Sequence, residues 1–417
     1  MHETKFLESL NRDEFPLEFS TRKANEENKI TSPADRNPKS VKEELVVRPH
    51  PHAGATYPNG TLGLVIDPSM AKFQTDKNVF RGKSCKVDNA IDEVAFDVFR
   101  NIRSGVISNK ISPQKKNNKS SNDDNKSTPR ILCMVYTHSN EHDRVKAIVN
   151  TWGKDCDGFF AASNVTDLSI HAINLTHKGP EAYSNMWQKI RSMWAYAHDH
   201  FLEDYDYFHI SGDDSVVVVD NMKAYFQGGQ VARLLDGYID NIARGSEQDK
   251  QKQWLDSGGK RMKRPLWFGV PGLIRDELFA LGGCGYTINR ELLRRIGIEG
   301  GALDTILAEN EDFREDVFFR DLALKVDTVL SDTRDDTGAF RYLSFSPSIR
   351  FGYKTHFPYR YQIPDRRGMS HFSNETVALH LKDMDKNGVT MDEVMYRTYD
   401  LLSGKCDDQI FKLDHKT

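Results

Sequence analysis

Residues 205–221 have the sequence Tyr-Asp-Tyr-Phe-His-Ile-Ser-Gly-Asp-Asp-Ser-Val-Val-Val-Val-Asp-Asn. An aromatic and β-branched run at 205–210 leads into the acidic pair Asp213 and Asp214, and a second apolar run at 216–219 follows it. Carboxylates between buried segments are costly unless a cation compensates their charge, and a divalent ion bound to a nucleotide diphosphate is a common solution. The pattern therefore predicts a metal site at a strand end. The alternative is a polar turn between two strands, and the flanking sequence has to distinguish the two.

Predicted strands and helices alternate before this acidic pair. Short apolar runs at 131–136, 158–162 and 169–173 favour buried strands, while apolar residues at helical spacing predict helices at 144–152 and 181–202. Such alternation predicts a mostly parallel sheet with helices on both faces, in which ligands bind at the carboxyl ends of the strands. Asp213 and Asp214 follow a strand and lie at such an end.

The composition is that of a soluble globular protein. The 417 residues are 38% hydrophobic and carry a formal net charge of -4, which argues against a nucleic-acid-coating protein. The five cysteines are too few and too scattered for a disulfide scaffold, and they include no zinc-type Cys-x-x-Cys pair. No run of apolar residues is long enough to span a membrane, and the N-terminus lacks the apolar core of a signal peptide.

Changes in composition divide the chain into segments. Residues 1–48 are polar and charged without a sustained period, which predicts disorder. We interpret 49–107 as a stem-like segment with one helix at 89–102, and the Lys-, Asn-, Ser- and Asp-rich residues 108–129 as a linker. A globular domain is predicted at 130–405, with a tail at 406–417. The polar segment 227–264 is interpreted as a solvated insertion. Because the segment ends in basic residues, the alternative is a binding site for an acidic partner.

Two further patterns follow the insertion. The glycine cluster Leu-Gly-Gly-Cys-Gly-Tyr at 281–286 allows close approach of the backbone to a ligand, although a tight turn explains it equally well. A helix is predicted at 313–326, with Glu315 and Asp316 in its first turn, where the helix dipole favours acidic residues.

The order of these elements resembles the inverting β1,3-glycosyltransferases of the GT-A type, whose fold is a Rossmann-like α/β sheet. The chain is most similar to the core 1 β1,3-galactosyltransferases and more distantly to the Fringe-type enzymes, over roughly 130–402 without the insertion. No single motif is specific, but their order and spacing together are. The matching residues are Ile131-Leu-Cys with Thr137, Thr151-Trp152, Trp187 with Lys189, Leu202-Glu-Asp, the Gly-Asp-Asp-Ser run with Asp220-Asn221, Trp267-Phe-Gly, the glycine cluster, Glu315-Asp316 and Asp332-Thr-Arg-Asp335.

The resemblance implies a set of site residues. Asp214 and His380 take the positions of the family's manganese ligands, and Asp316 takes that of the catalytic base. The family's acidic motif has three aspartates, and Gly212 stands in place of the first. Contacts with the UDP-sugar donor are expected from Thr137, Asp213, Gly282, Gly283 and Tyr286, and contacts with the acceptor from Trp267, Phe357 and Tyr359. For the aromatic residues near 357 the alternative is packing at the rim of the domain.

The resemblance also implies a cellular setting. Cys133 and Cys156 match family cysteines and would form a disulfide bond, which indicates an oxidising lumen such as the Golgi. The expected reaction is galactosyl transfer from UDP-galactose to N-acetylgalactosamine on serine or threonine of a glycoprotein. The resemblance also leaves a homodimer open as the assembly. Family members are normally anchored by an N-terminal membrane helix, so membrane attachment of this chain would need an anchor that its sequence does not contain.

Two alternatives belong to other classes of function. The replacement of the first motif aspartate by Gly212 suggests a catalytically silent relative that binds or chaperones other proteins. Residues 383–388, Asp-Met-Asp-Lys-Asn-Gly, open like a calcium-binding EF-hand loop, but the twelfth position is Val394 and the expected glutamate, Glu393, comes one residue early.

Overall fold

The computed structural model describes residues 93–111, 128–242, 264–274, 277–298, 300–344, 372–382, 384–385 and 388–403. The strands are β1 (Ile131–Tyr136), β2 (Gly158–Ser163), β3 (Ala172–Asn174), β4 (Tyr207–Gly212), β5 (Ser215–Val217), β6 (Trp267–Phe268), β7 (Val270–Ile274), β8 (Glu277–Leu281), β9 (Tyr286–Asn289), β10 (Tyr342–Leu343) and β11 (Ala378–His380). The helices are α1 (Glu93–Ile111), α2 (His142–Asn150), α3 (Met186–Phe201), α4 (Val219–Gln227), α5 (Gly229–Ile242), α6 (Arg290–Ile296), α7 (Ala302–Thr305), α8 (Glu315–Lys325) and α9 (Met391–Ser403).

The main sheet has six strands in the order β3-β2-β1-β4-β9-β6. The pairs β1–β2, β1–β4 and β2–β3 are parallel, and β9 runs antiparallel to both of its neighbours, β4 and β6. Strand β1 is central, since its residues from Ile131 to Tyr136 pair with β4 over their whole length. The predicted α/β fold with a mostly parallel sheet is confirmed.

Helices cover both faces of this sheet. Side chains alternate along β1, so Ile131, Cys133 and Val135 enter one core and Leu132 and Met134 enter the other. The first core contains apolar residues of α1, α2, α4 and α9, and the second contains those of α3, α6 and α8. Because both faces are buried, the strands are continuously apolar, which is the pattern that made them recognisable in the sequence.

Helix α1 belongs to the domain rather than to a separate stem. Its side chains Ala95, Val98, Phe99 and Ile102 are fully buried in the first core. The helix is longer than the predicted 89–102 and continues through 108–111, which were assigned to the linker. Helix α1, from the segment interpreted as stem-like, therefore supplies one of the layers that cover the sheet.

The predicted insertion at 227–264 begins with a helix that packs on the domain. Its first part forms α5, in which Val231 is fully buried and Leu234 and Leu235 pack against the first core. These three residues have the i, i+3, i+4 spacing of an apolar helix face. Residues 243–263 lie outside the described part of the chain.

The predicted helix at 181–202 begins only at Met186. The residues before it form a turn in which the Asn185 side chain donates hydrogen bonds to the carbonyl oxygens of Lys178 (2.7 Å) and Pro180 (2.9 Å). Gly179 adopts a positive φ of 75° there, which favours glycine. The predicted helix therefore starts with a loop, and Tyr183–Asn185 form a single 3₁₀ turn directly before α3.

A small second sheet, β10-β11-β5, lies beside the end of β4. Strands β11 and β5 are antiparallel, and their register pairs His380 with Ser215. The amide of Leu381 also donates to the carbonyl oxygen of Asp214, at 2.8 Å. This pairing carries His380 to the acidic stretch although 166 positions separate it from Asp214.

Cys133 and Cys156 form the disulfide bond that the resemblance implied. The bond joins β1 to the residues just before β2, and Cys284 is a buried free cysteine. None of the helices in the described ranges is long and apolar enough to cross a membrane.

Candidate active site

The acidic pair lies in the tight turn between β4 and β5. Nε2 of His380 lies 2.9 Å from Oδ2 of Asp214, and Nδ1 of His380 donates to the carbonyl oxygen of Ser344 at 3.0 Å. Both partners are largely buried, and the Ser344 contact fixes the orientation of the imidazole ring. The two residues that the resemblance implied as metal ligands are thus adjacent.

Asp214 and His380 shift each other's pKa values. Burial would raise the pKa of Asp214, but the charge and hydrogen bond of His380, with help from Arg144, lower it below its ordinary value. Burial would lower the pKa of His380, but the charge and hydrogen bond of Asp214 raise it. Both shifts favour a carboxylate that faces an imidazolium, and a cation that bound Asp214 and His380 together would displace the Nε2 proton.

Asp213 faces a different set of partners. The Thr137 hydroxyl donates to its Oδ2 at 2.7 Å, and Nη1 of Arg144 lies 3.4 Å from its Oδ1. Burial, aided by the negative charge of Asp214, raises the pKa of Asp213 to about 6, although Thr137 and Arg144 act in the opposite direction. The Thr137 hydroxyl, which we expected to contact the donor, is directed at this carboxylate.

Gly212 adjoins the space that Asp214 occupies. A Cβ atom added at Gly212 would lie 2.9 Å from Oδ1 of Asp214 and 3.3 Å from the ring of Tyr136. An aspartate at this position would therefore require Asp214 to move. The Asp214 side chain reaches the space beside position 212 from a turn, and not from an extended segment as the sequence suggested.

A second pair of carboxylates lies at the start of α8. Asp316 accepts hydrogen bonds from the amides of Gly282 (3.1 Å, at Oδ2) and Val317 (2.8 Å, at Oδ1), and its side chain is half-buried. Burial raises the pKa of Asp316, while these amides lower it. Burial and the charge of Asp316 raise the pKa of Glu315 well above its ordinary value, which favours the protonated form. The pair thus combines an oriented, partly exposed carboxylate with a buried, more weakly acidic carboxyl group.

The glycine cluster lies between the two acidic pairs. A Cβ atom at Gly282 would lie 2.4 Å from Oε1 of Glu315, and one at Gly283 would lie 2.7 Å from Nδ1 of His380. Gly285 has a φ of 77° and approaches the backbone of β4 so closely that a Cβ would meet the carbonyl oxygen of Ile210 at 2.0 Å. The glycines are required by close packing against protein groups, and this packing brings both acidic pairs to one turn.

Two aromatic residues that the resemblance assigned to substrates lie in the core. The Tyr286 ring is buried, and its hydroxyl donates to Oε2 of Glu315 at 3.1 Å. Trp267 has no exposed surface, and its ring packs against Tyr286 and Phe319 at centroid distances of 6.1 and 5.2 Å. Trp267 therefore presents no face on which an acceptor could stack. Phe357 and Tyr359 lie outside the described residues.

A similarity to a known protein supports a class for this chain. Glycoprotein-N-acetylgalactosamine 3-beta-galactosyltransferase 1 of Xenopus laevis is 26% identical to the chain over 220 residues. The similarity supports a glycosyltransferase relationship. The aligned region is 52% of this chain and 51% of the relative, so the chain spans about half the length of this curated relative. No family model matches the chain.

The donor atoms at Asp214 and His380 fit a divalent cation such as Mn²⁺. One carboxylate and one imidazole nitrogen lie within 2.9 Å of each other, and the other imidazole nitrogen is held by a carbonyl oxygen. The described residues contain no group of three or more His, Cys, Asp or Glu side chains suited to a metal.

Two residues near the acidic pairs were not predicted from the sequence. Arg144, on α2, provides a cation beside Asp213, and no local motif marks it. Tyr136, at the end of β1, lies between the two pairs: burial and then the charges of Glu315 and Asp214 raise the pKa of its phenol well above the ordinary value. No local motif marks Tyr136 either, so only the tertiary structure shows its position.

Proposed function

We propose that the chain is an inverting β1,3-glycosyltransferase that transfers galactose from UDP-galactose to N-acetylgalactosamine on serine or threonine of a glycoprotein. The observation that carries the proposal is the assembly of Asp214–His380 and Asp316 around one glycine turn. The similarity to a galactosyltransferase supports the class of reaction. The disulfide bond supports a secretory compartment such as the Golgi lumen.

An inverting transfer needs one carboxylate to accept the proton of the acceptor hydroxyl while that oxygen attacks the anomeric carbon. Asp316 suits this role, since its oxygens are fixed by two amides and burial makes it a better base. Asp214 and His380 would hold a Mn²⁺ ion, which when bound stabilises the negative charge of the departing diphosphate. Arg144 provides a fixed positive charge on the same side of the site.

Two substitutions separate these roles. Asp316→Asn should lower the rate of transfer about 10²- to 10⁴-fold without weakening the binding of UDP, because only the proton acceptor is lost. Asp214→Asn should abolish Mn²⁺-dependent binding of UDP. Transfer is measured by UDP release with and without a chelator, and binding by calorimetry. Asp204→Asn, an exposed carboxylate that precedes β4, is the control and should behave like the wild type.

Unchanged activity in either site variant would contradict the role assigned to that residue. Tests with other UDP-sugars and acceptors on the same protein identify the substrates. The proposed reaction class can be correct even if the proposed donor or acceptor is wrong. The Fringe-type relationship and a homodimer stay predictions from the resemblance.

A second candidate, favoured by Gly212, is a catalytically silent relative that binds or chaperones other proteins. With the first motif aspartate absent, Asp214 is the one carboxylate in contact with His380 among the described residues, which weakens the case for tight metal binding. Calorimetry distinguishes the two candidates. A silent relative shows no metal-dependent binding of UDP, whereas the enzyme shows binding that a chelator removes.

A further inference from the structure

Tyr183 and Phe313 form an exposed aromatic pair next to the second pair of carboxylates. Tyr183 is 74% exposed and Phe313 is 42% exposed, and their rings stack with centroids 6.1 Å apart and planes inclined by 21°. The other large hydrophobic side chains that are exposed in the described ranges are aliphatic. Two adjoining rings that face solvent are unusual on a protein surface and are typical of a binding site.

The pair is held in place from both sides. Trp187 and Gln188, at the start of α3, donate four hydrogen bonds of 2.7–2.9 Å to carbonyl oxygens of the loop 307–312. The Trp187 indole donates to Leu307 and the Trp187 backbone amide donates to Asp312. The side-chain amide of Gln188 donates to Ala308 and Asn310. Tyr183 precedes this anchor by four residues, and Phe313 directly follows the loop. The backbone that leads to each ring is therefore held in place without a ligand, which lowers the entropy cost of binding.

The pair also lies within the electrostatic field of the candidate site. Phe313 is three residues before Asp316 and leads into α8. Partial shielding from solvent and then the negative charges of Asp316, Glu315 and Asp214 raise the pKa of the Tyr183 phenol. The rings thus lie close to Asp316, the candidate base, which contacts the glycine turn at Gly282. His380 lies against the next residue of that turn, Gly283.

Polar groups surround the rings. The Arg314 guanidinium lies 5.9 Å from the centre of the Phe313 ring and pairs with Asp312 at 2.6 Å. The Tyr183 hydroxyl forms no hydrogen bond to any described residue. A sugar ring has one face of C–H groups that can stack on an aromatic ring and hydroxyls at its edge that need polar partners. Exposed rings with charged and hydroxyl groups at their rim match both requirements.

We propose that Tyr183 and Phe313 form a stacking subsite for one pyranose ring of the acceptor glycan. The inference rests on the proposed function, because it assigns the ligand from the adjacent base. Assignment to the acceptor follows from position: the rings adjoin Asp316, which would receive the acceptor proton, whereas the diphosphate of the donor belongs at Asp214 and His380. The subsite would select acceptors that present an unobstructed sugar face.

The test compares variants of the exposed rings. Tyr183→Ala and Phe313→Ala should each raise the KM for the acceptor about tenfold, with the KM for the donor changed less than about twofold, because each ring contributes stacking surface to the acceptor alone. Tyr183→Phe retains the ring and should keep most of the affinity. Leu168→Ala, a variant of a 52% exposed aliphatic residue, is the control and should leave both constants unchanged. Thermal unfolding checks that the exposed substitutions leave the fold intact.

Two results would overturn the subsite while the proposed function stands. One is transfer by the Tyr183→Ala/Phe313→Ala double variant with an unchanged KM for the acceptor. The other is a rise in the KM for the donor instead, which would place the rings against the donor sugar.

A wild-type chain that turns over no UDP-sugar contradicts the proposed function but still leaves the subsite testable. A glycan array is then probed with labelled wild type and double variant in the absence of a donor. Glycan binding by the wild type that the double variant loses supports the subsite. No binding, or equal binding by both proteins, refutes it.

Discussion

Glu181 is the centre of a charged cluster beside the candidate site. Its carboxylate accepts hydrogen bonds from Nε2 of His177, at 2.6 Å, and from the Lys189 ammonium group. Lys189 also donates to the carbonyl oxygen of Thr137, whose hydroxyl donates to Asp213. The cluster therefore connects α3 to the end of β1 and, through Thr137, to the acidic pair.

Removing the Glu181 charge should destabilise the protein in a pH-dependent way. Burial would raise the pKa of Glu181, but His177 and Lys189 lower it to about 2, from an ordinary value of 4.5. A carboxyl group with a lowered folded-state pKa stabilises the fold above pH 4.5, and this contribution is lost as the pH falls towards 2. Burial keeps the pKa of Lys189 low even beside Glu181, so its ammonium group depends on this partner.

We therefore expect Glu181→Gln to lower the free energy of unfolding by about 3 kcal/mol at pH 7, because it leaves Lys189 buried and unpaired. The difference between wild type and variant should shrink as the pH falls below 4.5. Urea unfolding between pH 7 and pH 3 measures both effects. The control is Glu203→Gln, at an exposed carboxylate, and a difference that does not depend on pH would show that the charge is not the cause.

At the scale of single residues, contacts could be predicted only between residues that a motif or the resemblance marks. The adjacency of Asp214 and His380 came from the resemblance, since no local pattern relates residues that far apart. Arg144 carried no such signal, because its partner Asp213 is set by the packing of α2 against the sheet. Trp267 shows the converse, since a motif tryptophan gives no indication whether its ring packs in the core or faces a ligand.

At the scale of elements, α1 shows what periodicity can and cannot predict. Apolar residues at helical spacing indicated a helix, but the spacing does not tell which surface the helix covers. In the structure Gly105 lies against residue 374, where a Cβ atom would meet the carbonyl oxygen of Asn374 at 1.9 Å. Asn101 donates to the carbonyl oxygen of Phe372 at 3.2 Å. These contacts join residues about 270 positions apart, beyond the range of any local pattern.

Helix α1 should contribute strongly to stability. Phe99 is fully buried in the first core, so Phe99→Ala should lower the free energy of unfolding by about 3–5 kcal/mol through lost burial and the cavity left behind. Asp97→Ala, on the exposed face of the same helix, should change it by less than about 0.5 kcal/mol. Denaturant unfolding of the two variants measures this difference. Equal, small effects would mean that α1 is a dispensable stem, as the sequence first suggested.

At the scale of the whole molecule, the layered architecture was predictable and its smaller sheet was not. Fully apolar strands alternating with amphipathic helices permit few arrangements other than a covered parallel sheet. The sheet β10-β11-β5 consists of strands of two or three residues, too short for a periodic signal, and its pairing depends on contacts between distant segments. The candidate site lies where this small sheet meets the end of β4, which is why the contact between Asp214 and His380 could be expected only from the resemblance.

The disulfide bond between Cys133 and Cys156 should stabilise the whole domain rather than one element. It joins the central strand β1 to the residues before β2 and encloses α2, and the two cysteines are 23 positions apart in the sequence. A cross-link over a loop of this length restricts the unfolded chain and stabilises the folded state by about 3 kcal/mol in the chain-entropy model. Both cysteines are also buried, so replacing them removes some packing as well.

The prediction is that Cys133→Ala/Cys156→Ala lowers the free energy of unfolding by at least about 3 kcal/mol and increases its dependence on denaturant, because the unfolded chain becomes less compact. Cys284→Ala is the matched control, since it removes a buried sulfur that forms no disulfide. Urea unfolding of the three proteins under oxidising conditions separates the two contributions. The double variant could instead lose no more stability than two substitutions like Cys284→Ala, with an unchanged dependence on denaturant. The bond would then restrict the unfolded chain too little to matter, and the stability of the domain would rest on the two cores alone.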